Sequence, residues 1–219
     1  MNIIELKNIT FGYSSEKNVF KGLNFVLKEG ERIGITGPNG SGKTTLLYLI
    51  VGILKPFNGE IKIFNKIRKD EKDFREVREK IGLVFQNPDD QLFSPTVAED
   101  IAFGPLNLGR SREEVYRTIK DTLFALGLEG FDNKITYKLS EGEKKLVAIG
   151  TILSMRPQVF LLDEPTADLD EKNRERIINI INGLSTSYII TSHDMELLKK
   201  CTNTVYRLED SRLRPISIQ

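Results

Sequence analysis

Gly37-Pro38-Asn39-Gly40-Ser41-Gly42-Lys43-Thr44 is the segment whose residue types and spacing point most directly to a chemistry. It satisfies the pattern G-x-x-x-x-G-K-[ST]. Its glycines let the backbone curl until successive N–H groups point inward at phosphate oxygens. The pattern works between a strand and a helix, because the helix N-terminus adds its positive end to the same oxygens. That context is present: Arg32-Ile33-Gly34-Ile35-Thr36 reads as a short buried strand and Lys43 to Ile53 as a helix. Lys43 is then expected to reach the β- and γ-phosphates of a nucleotide, and the Thr44 hydroxyl to ligate Mg²⁺.

Val159-Phe160-Leu161-Leu162 is a buried-looking strand closed by two carboxylates, Asp163 and Glu164. At such a strand tip Asp163 is placed to hold Mg²⁺, directly or through water. Glu164, next in line, is placed to orient and polarise a water for attack on a γ-phosphate. The only histidine, His193, follows another apolar run in Ile190-Thr191-Ser192-His193-Asp194. A lone histidine is more often structural than functional, and its spacing leaves both readings open.

The elements that must position these groups are legible in outline. Ile3 to Ile9 and Gly22 to Lys28 read as strands before the turn at Glu29-Gly30, and Ile81 to Phe85 as another. Lys66 to Lys80 is dense in both charge signs, which predicts a solvated helix or loop. Between Gln86 and Ser154 the pattern turns helical, with Ser111 an N-cap for a helix over Glu113 to Leu126. Strands return at Val159 to Leu162 and Tyr188 to Thr191, with a helix over Glu171 to Leu184 between them. A βα core interrupted by a helical insertion is the simplest account.

Composition narrows the function classes. The 219 residues favour one domain with a real core. Lys+Arg is 32 against 31 for Asp+Glu, which argues against nucleic-acid binding through bulk positive field. The single cysteine, Cys201, excludes an intramolecular disulfide and fits a reducing compartment. The longest uncharged apolar stretch, Leu46 to Leu54, is well short of the ~20 residues that span a bilayer. With no export signal at Met1 to Glu5, the expectation is a soluble, cytosolic chain that needs a partner at any membrane.

Taken in order, these residues resemble the nucleotide-binding subunit of ATP-binding-cassette (ABC) transporters. The order runs from Tyr13 through the phosphate loop, Gln86, Leu139-Ser140-Glu141-Gly142-Glu143, Asp163-Glu164 and Asp168-Leu169-Asp170 to His193. The resemblance implies an α/β P-loop cassette. Its RecA-like core would comprise residues 1–86 and 157–219 with N-terminal antiparallel strands, and its helical subdomain about 87–156. It implies ATP and Mg²⁺ as ligands, with Gly37 to Thr44 and Thr45 on the phosphates, Tyr13 stacked on adenine, and Gln86 joining Thr44 and Asp163 around Mg²⁺. Glu164 becomes the hydrolytic carboxylate and His193 a γ-phosphate contact. Two subunits are expected to sandwich two ATP molecules, each site completed by the partner's signature segment, with Asp168 and Asp170 in the adjoining D-loop.

Phe85-Gln86-Asn87-Pro88-Asp89-Asp90-Gln91-Leu92-Phe93, continuing through Thr96 to Pro105, is similar to the ATPases of energy-coupling-factor importers. That group includes cobalt and nickel uptake ATPases and those shared by vitamin carriers. It implies a transmembrane coupling subunit, a substrate-binding membrane subunit and a second ATPase subunit (homodimer or heterodimer). It also implies a place at the cytoplasmic face of the membrane, with no nucleic-acid partner. Asp89 and Asp90 lie where a membrane partner's arginines would dock. The alternatives are an ATPase of another ABC class or one without a transport role. A GTPase is disfavoured, because Asn65-Lys66 lacks the following aspartate of a guanine-reading motif.

One departure stands out. The usual signature is Leu-Ser-Gly-Gly-Gln, so Glu141 and Glu143 add two negative charges. Close to an anionic ligand each is expected to cost on the order of 1 kcal/mol. The resulting weak signature would be best accommodated in a heterodimer.

Overall fold

The computed structural model describes residues 1–14 and 17–217. Along the chain it forms β1 (Asn2–Gly12), β2 (Asn18–Lys28), β3 (Arg32–Thr36), α1 (Lys43–Ile50), β4 (Asn58–Ile63), β5 (Lys66–Ile67), α2 (Glu71–Lys80) and β6 (Ile81–Val84). Then come α3 (Val97–Asn107), α4 (Arg112–Leu126), α5 (Glu141–Leu153), β7 (Val159–Asp163) and α6 (Glu171–Asn182). The last elements are β8 (Ser187–Thr191), α7 (Met195–Cys201), β9 (Thr204–Glu209) and β10 (Arg212–Ile216). They fall into two compact units: Met1–Leu83, Val159–Glu164 and Ser185–Gln219 in the first, Val84–Gln158 and Pro165–Leu184 in the second.

The first unit holds both sheets. One is antiparallel in the order β2-β1-β4-β5, and the other runs β10-β9-β3-β8-β7-β6. β3 pairs in parallel with β8 and β9, and β7 with β8, while β10 returns antiparallel on β9. β7 and β8 are buried at every residue. Their sequences therefore read as continuous apolar runs rather than alternating ones, as parallel strands covered on both faces must. Leu46, Leu47, Leu49 and Ile50 of α1 and Leu197 and Leu198 of α7 are fully buried in the same core. Because β3, β8 and β7 are parallel neighbours, their carboxyl ends share one edge of the sheet. The phosphate loop leaves the first, His193 follows the second and Asp163 ends the third. Ligand sites of open α/β sheets lie at that edge.

The charge-dense run 66–80 is less solvated than its composition predicts. Phe74 and Val77 of α2 are buried, and so is Arg68. The Arg68 guanidinium donates to the Ile63 carbonyl (3.3 and 3.2 Å), to the Asp73 carbonyl (3.2 Å) and to Glu76 (2.8 Å). Arg68, Lys80 and Lys66 together hold the Glu76 carboxyl down at about 2. A guanidinium that makes four bonds to three acceptors can be buried where a lone charge cannot.

The second unit is helical, as expected for 86–154. Ser111 caps α4 in a capping box with Glu114. α6 groups with this unit rather than with the sheets, so the segment 165–184 leaves the division expected from sequence. Its contacts explain why: Arg176 donates to the Gly127 carbonyl, and Ile180 and Leu184 line an apolar groove with Phe124, Leu126 and Leu153.

Candidate functional site

The phosphate loop is built as its spacing requires. Gly42 precedes α1 with φ of 102° and offers no capping side chain, so the first-turn N–H groups stay available to an anion. The Lys43 ammonium donates to the Gly37 carbonyl (3.0 Å) and lies 2.8 Å from His193 Nε2. Burial lowers the Lys43 pKa, with Glu164 and Asp163 pulling it back up. Tyr13 is two-thirds exposed; its hydroxyl pairs with Thr45 Oγ1 (3.0 Å) and its ring stands edge-on to Phe11 at 5.2 Å.

The two carboxylates behave differently. Asp163 is fully buried, with one oxygen accepting from Thr191 Oγ1 (2.5 Å). Its other oxygen, Oδ2, has no hydrogen-bond partner among the described residues. A buried carboxylate oxygen left without a donor is costly unless a cation meets it. Glu164 accepts through Oε2 from Ser192 Oγ (3.0 Å) and from the His193 N–H (3.3 Å), and its Oε1 lies 3.6 Å from His193 Nε2. Its φ of 45° is left-handed, a strained backbone for a residue with a side chain, of the kind that collects at functional sites. The structure thus brings Lys43, Asp163, Glu164 and His193 together. Sequence reasoning passed over Thr191 and Ser192 as orienting residues, although both sit directly before His193.

Gln86, the signature segment, Asp168 and Asp170 lie in the second unit. Asp170 caps α6 by accepting from the Asn173 N–H (2.9 Å), and Asp168 has a left-handed φ of 63°. Both signature glutamates are engaged by groups of their own unit. Glu143 closes a capping box: Oε2 accepts from the Ser140 N–H (2.8 Å) and Oγ (2.9 Å), and Lys134 stands 3.5 Å away. Glu141 is ion-paired with Lys144 (3.1 Å), which also holds Asp89 (2.8 Å).

The Ser140 N–H, ahead of its hydroxyl and Lys134, keeps the Glu143 carboxyl below the usual range. Its contribution to stability is therefore complete above the ordinary carboxylate pKa and lost as pH falls through the lowered one. Ser140→Ala should cost about 1 kcal/mol in denaturant unfolding, as a lost N-cap does. Glu143→Gln should stay within about 0.5 kcal/mol at neutral pH, since an amide oxygen accepts the same bonds, and should remove that acid dependence.

Comparison with known proteins bears on this arrangement. A family profile described as "ABC transporter" matches residues 20–167. The chain belongs to the ABC transporter family. It is an ATP-binding subunit, and ABC cassettes hydrolyse ATP in step with transport. The energy-coupling factor transporter ATP-binding protein EcfA of Methanocaldococcus jannaschii is 48% identical over 217 residues, 97% of this chain and 78% of that protein. EcfA of Methanococcus maripaludis is 42% identical with the same coverage. Among solved structures, cbiO1 from Clostridium perfringens, part of the ABC transporter complex cbiONQ, superposes with a TM-score of 0.86 at 36% identity. That match covers 97% of this chain and 87% of that one. The dimeric post-hydrolysis cassette MJ0796 bound to ADP and Pi gives 0.90 at 30% identity, covering 99% of each chain.

Proposed function

We propose that this cassette is the ATPase subunit of an energy-coupling-factor type importer. It would sit at the cytoplasmic membrane face through a transmembrane coupling subunit and a substrate-binding membrane subunit. The observation that carries the reading is the 48% identity to EcfA over nearly the whole chain. No helix among the described residues is long and apolar enough to cross a membrane, so the membrane subunits supply the passage. The solute, a metal ion such as cobalt or nickel or else a vitamin, is read by those subunits.

Each group has a role in ATP hydrolysis. Gly37 to Thr45 hold the phosphates, and Tyr13, exposed at the end of β1, stacks on adenine. The orphaned Asp163 Oδ2 fits a divalent cation, so Thr44, Asp163 and Gln86 would hold Mg²⁺, which would supply charge neutralisation to the phosphates. Glu164, its carboxylate fixed by Ser192 and the His193 N–H, takes a proton from the attacking water. Lys43 and His193 face the charge that develops on the transferred group. A second ATPase subunit completes the site with its own signature segment. Asp89 and Asp90 are exposed, as are Phe93 and Phe103, whose rings meet edge-to-face at 4.8 Å. That acidic and aromatic surface suits an arginine-bearing segment of the coupling subunit.

Co-expression with a transmembrane coupling subunit tests the reading. ATP turnover should rise on association, and Asp90→Lys should weaken co-purification while basal turnover persists. A chain that prefers GTP, or that never associates with such a subunit, would refute it.

A further inference from the structure

The hairpin of β9 and β10 turns through only two residues, Asp210 and Ser211, between the paired Glu209 and Arg212. Both have left-handed backbones, with φ of 48° and 60°. Two-residue hairpins of this hand favour Asp-Gly or Asn-Gly, because glycine takes the second position without strain. Serine there is a local conflict, and such conflicts tend to mark function.

The hydroxyl of Ser211 shows what the serine does. It accepts from the Lys21 N–H (3.0 Å) and donates to the Val19 carbonyl (3.2 Å). β2 is an edge strand of the antiparallel sheet, so these groups face away from β1. One side chain thereby supplies a rung of ladder to an otherwise open edge and ties one sheet to the other. Between the two bonded residues sits Phe20, fully buried. A Cβ on Gly42 would come within 2.7 Å of the Phe20 ring and 2.8 Å of Val19 Cγ1, so this segment is the wall against which Gly42 packs. The same hairpin reaches the loop's other end, where a Cβ on Gly37 would collide with the Leu208 carbonyl oxygen. Asn18, Val19, Lys21, Ser41 and Ser211 line a groove of about 520 Å³ beside the loop.

We infer that Ser211 is a positioning residue for the phosphate loop: its hydroxyl holds Val19–Lys21 against Gly42 and so sets the loop's curvature for nucleotide. The inference rests on the assignment of Gly37 to Thr45 as the nucleotide's phosphate site. Its test is equilibrium binding of a fluorescent ATP analogue to the parent, Ser211→Ala, Ser211→Gly and Ser211→Thr, with thermal melts of the nucleotide-free proteins.

Alanine and glycine both remove the hydroxyl, so both should raise Kd by about fivefold, the scale of one or two lost hydrogen bonds. KM for ATP should rise with Kd, and kcat should fall less. Glycine relieves the left-handed strain and alanine keeps it, so the two should differ by about 3 °C in melting temperature. Threonine keeps the hydroxyl and should retain the parent affinity even where it melts lower. Affinity that follows the hydroxyl while stability follows the backbone is a pattern that a merely structural serine would not give. Equal Kd for the parent and Ser211→Gly overturns the inference alone. A parent that binds no nucleotide overturns the phosphate-site assignment and this inference with it.

Discussion

Glu164→Gln is expected to cut ATP turnover by about 100-fold or more while leaving nucleotide binding intact. A positioned general base contributes roughly 10²–10⁴-fold, and an amide cannot take the proton. Geometry favours a folded variant, because the glutamine carbonyl can accept both bonds now made to Oε2, from Ser192 Oγ and the His193 N–H. The phosphate contacts come from other residues, so binding energy survives while the chemical step fails. A dimer held together by ATP should then persist, visible as an ATP-dependent dimer in size-exclusion chromatography that the parent forms only transiently. Turnover within tenfold of the parent would move the base elsewhere. Ser192→Ala offers a graded version, since it removes one of the two bonds that fix the carboxylate and keeps the carboxylate itself.

Legibility from sequence followed how local each determinant is. The function proposed for Gly37 to Thr44 rests on backbone conformation, which glycine spacing reports directly, and β3 runs over Arg32–Thr36 as read. Ser111 was equally visible as a cap, because a capping box closes within four residues. The β9–β10 hairpin was not visible. Its turn has serine where glycine would signal it, and Pro215 within β10 argues against a strand. Arg68 reads as a surface charge until its acceptors, brought together by β4 and α2, are known. The signature glutamates show the same limit in miniature. Two added charges can be counted in the sequence, but whether they face a ligand or their own helix depends on side-chain direction. Here Glu143 turns back onto Ser140 and Glu141 onto Lys144.

Lys43→Met should produce the opposite split from Glu164→Gln, with nucleotide binding weakened and the fold retained. In the nucleotide-free protein the ammonium is buried, and that burial lowers its pKa against the pull of Glu164 and Asp163. The sign matters for stability. A lysine whose folded pKa lies below its unfolded one costs the fold wherever it is charged, and stability rises with pH only as the lysine is neutralised. Replacing it with an apolar side chain of similar length therefore removes a desolvated charge at neutral pH. The bonds lost are those to the Gly37 carbonyl and His193 Nε2. The melting temperature without nucleotide should be unchanged or slightly higher. The charge-assisted bonds that the ammonium would make to phosphate disappear, and affinity for ATP should fall by about 100-fold. Thermal melts with saturating ATP separate the two effects, since a ligand stabilises only the state that binds it. The parent and Glu164→Gln should both shift upward, and Lys43→Met far less. An ATP-induced shift in Lys43→Met equal to that of the parent would remove Lys43 from the phosphate site.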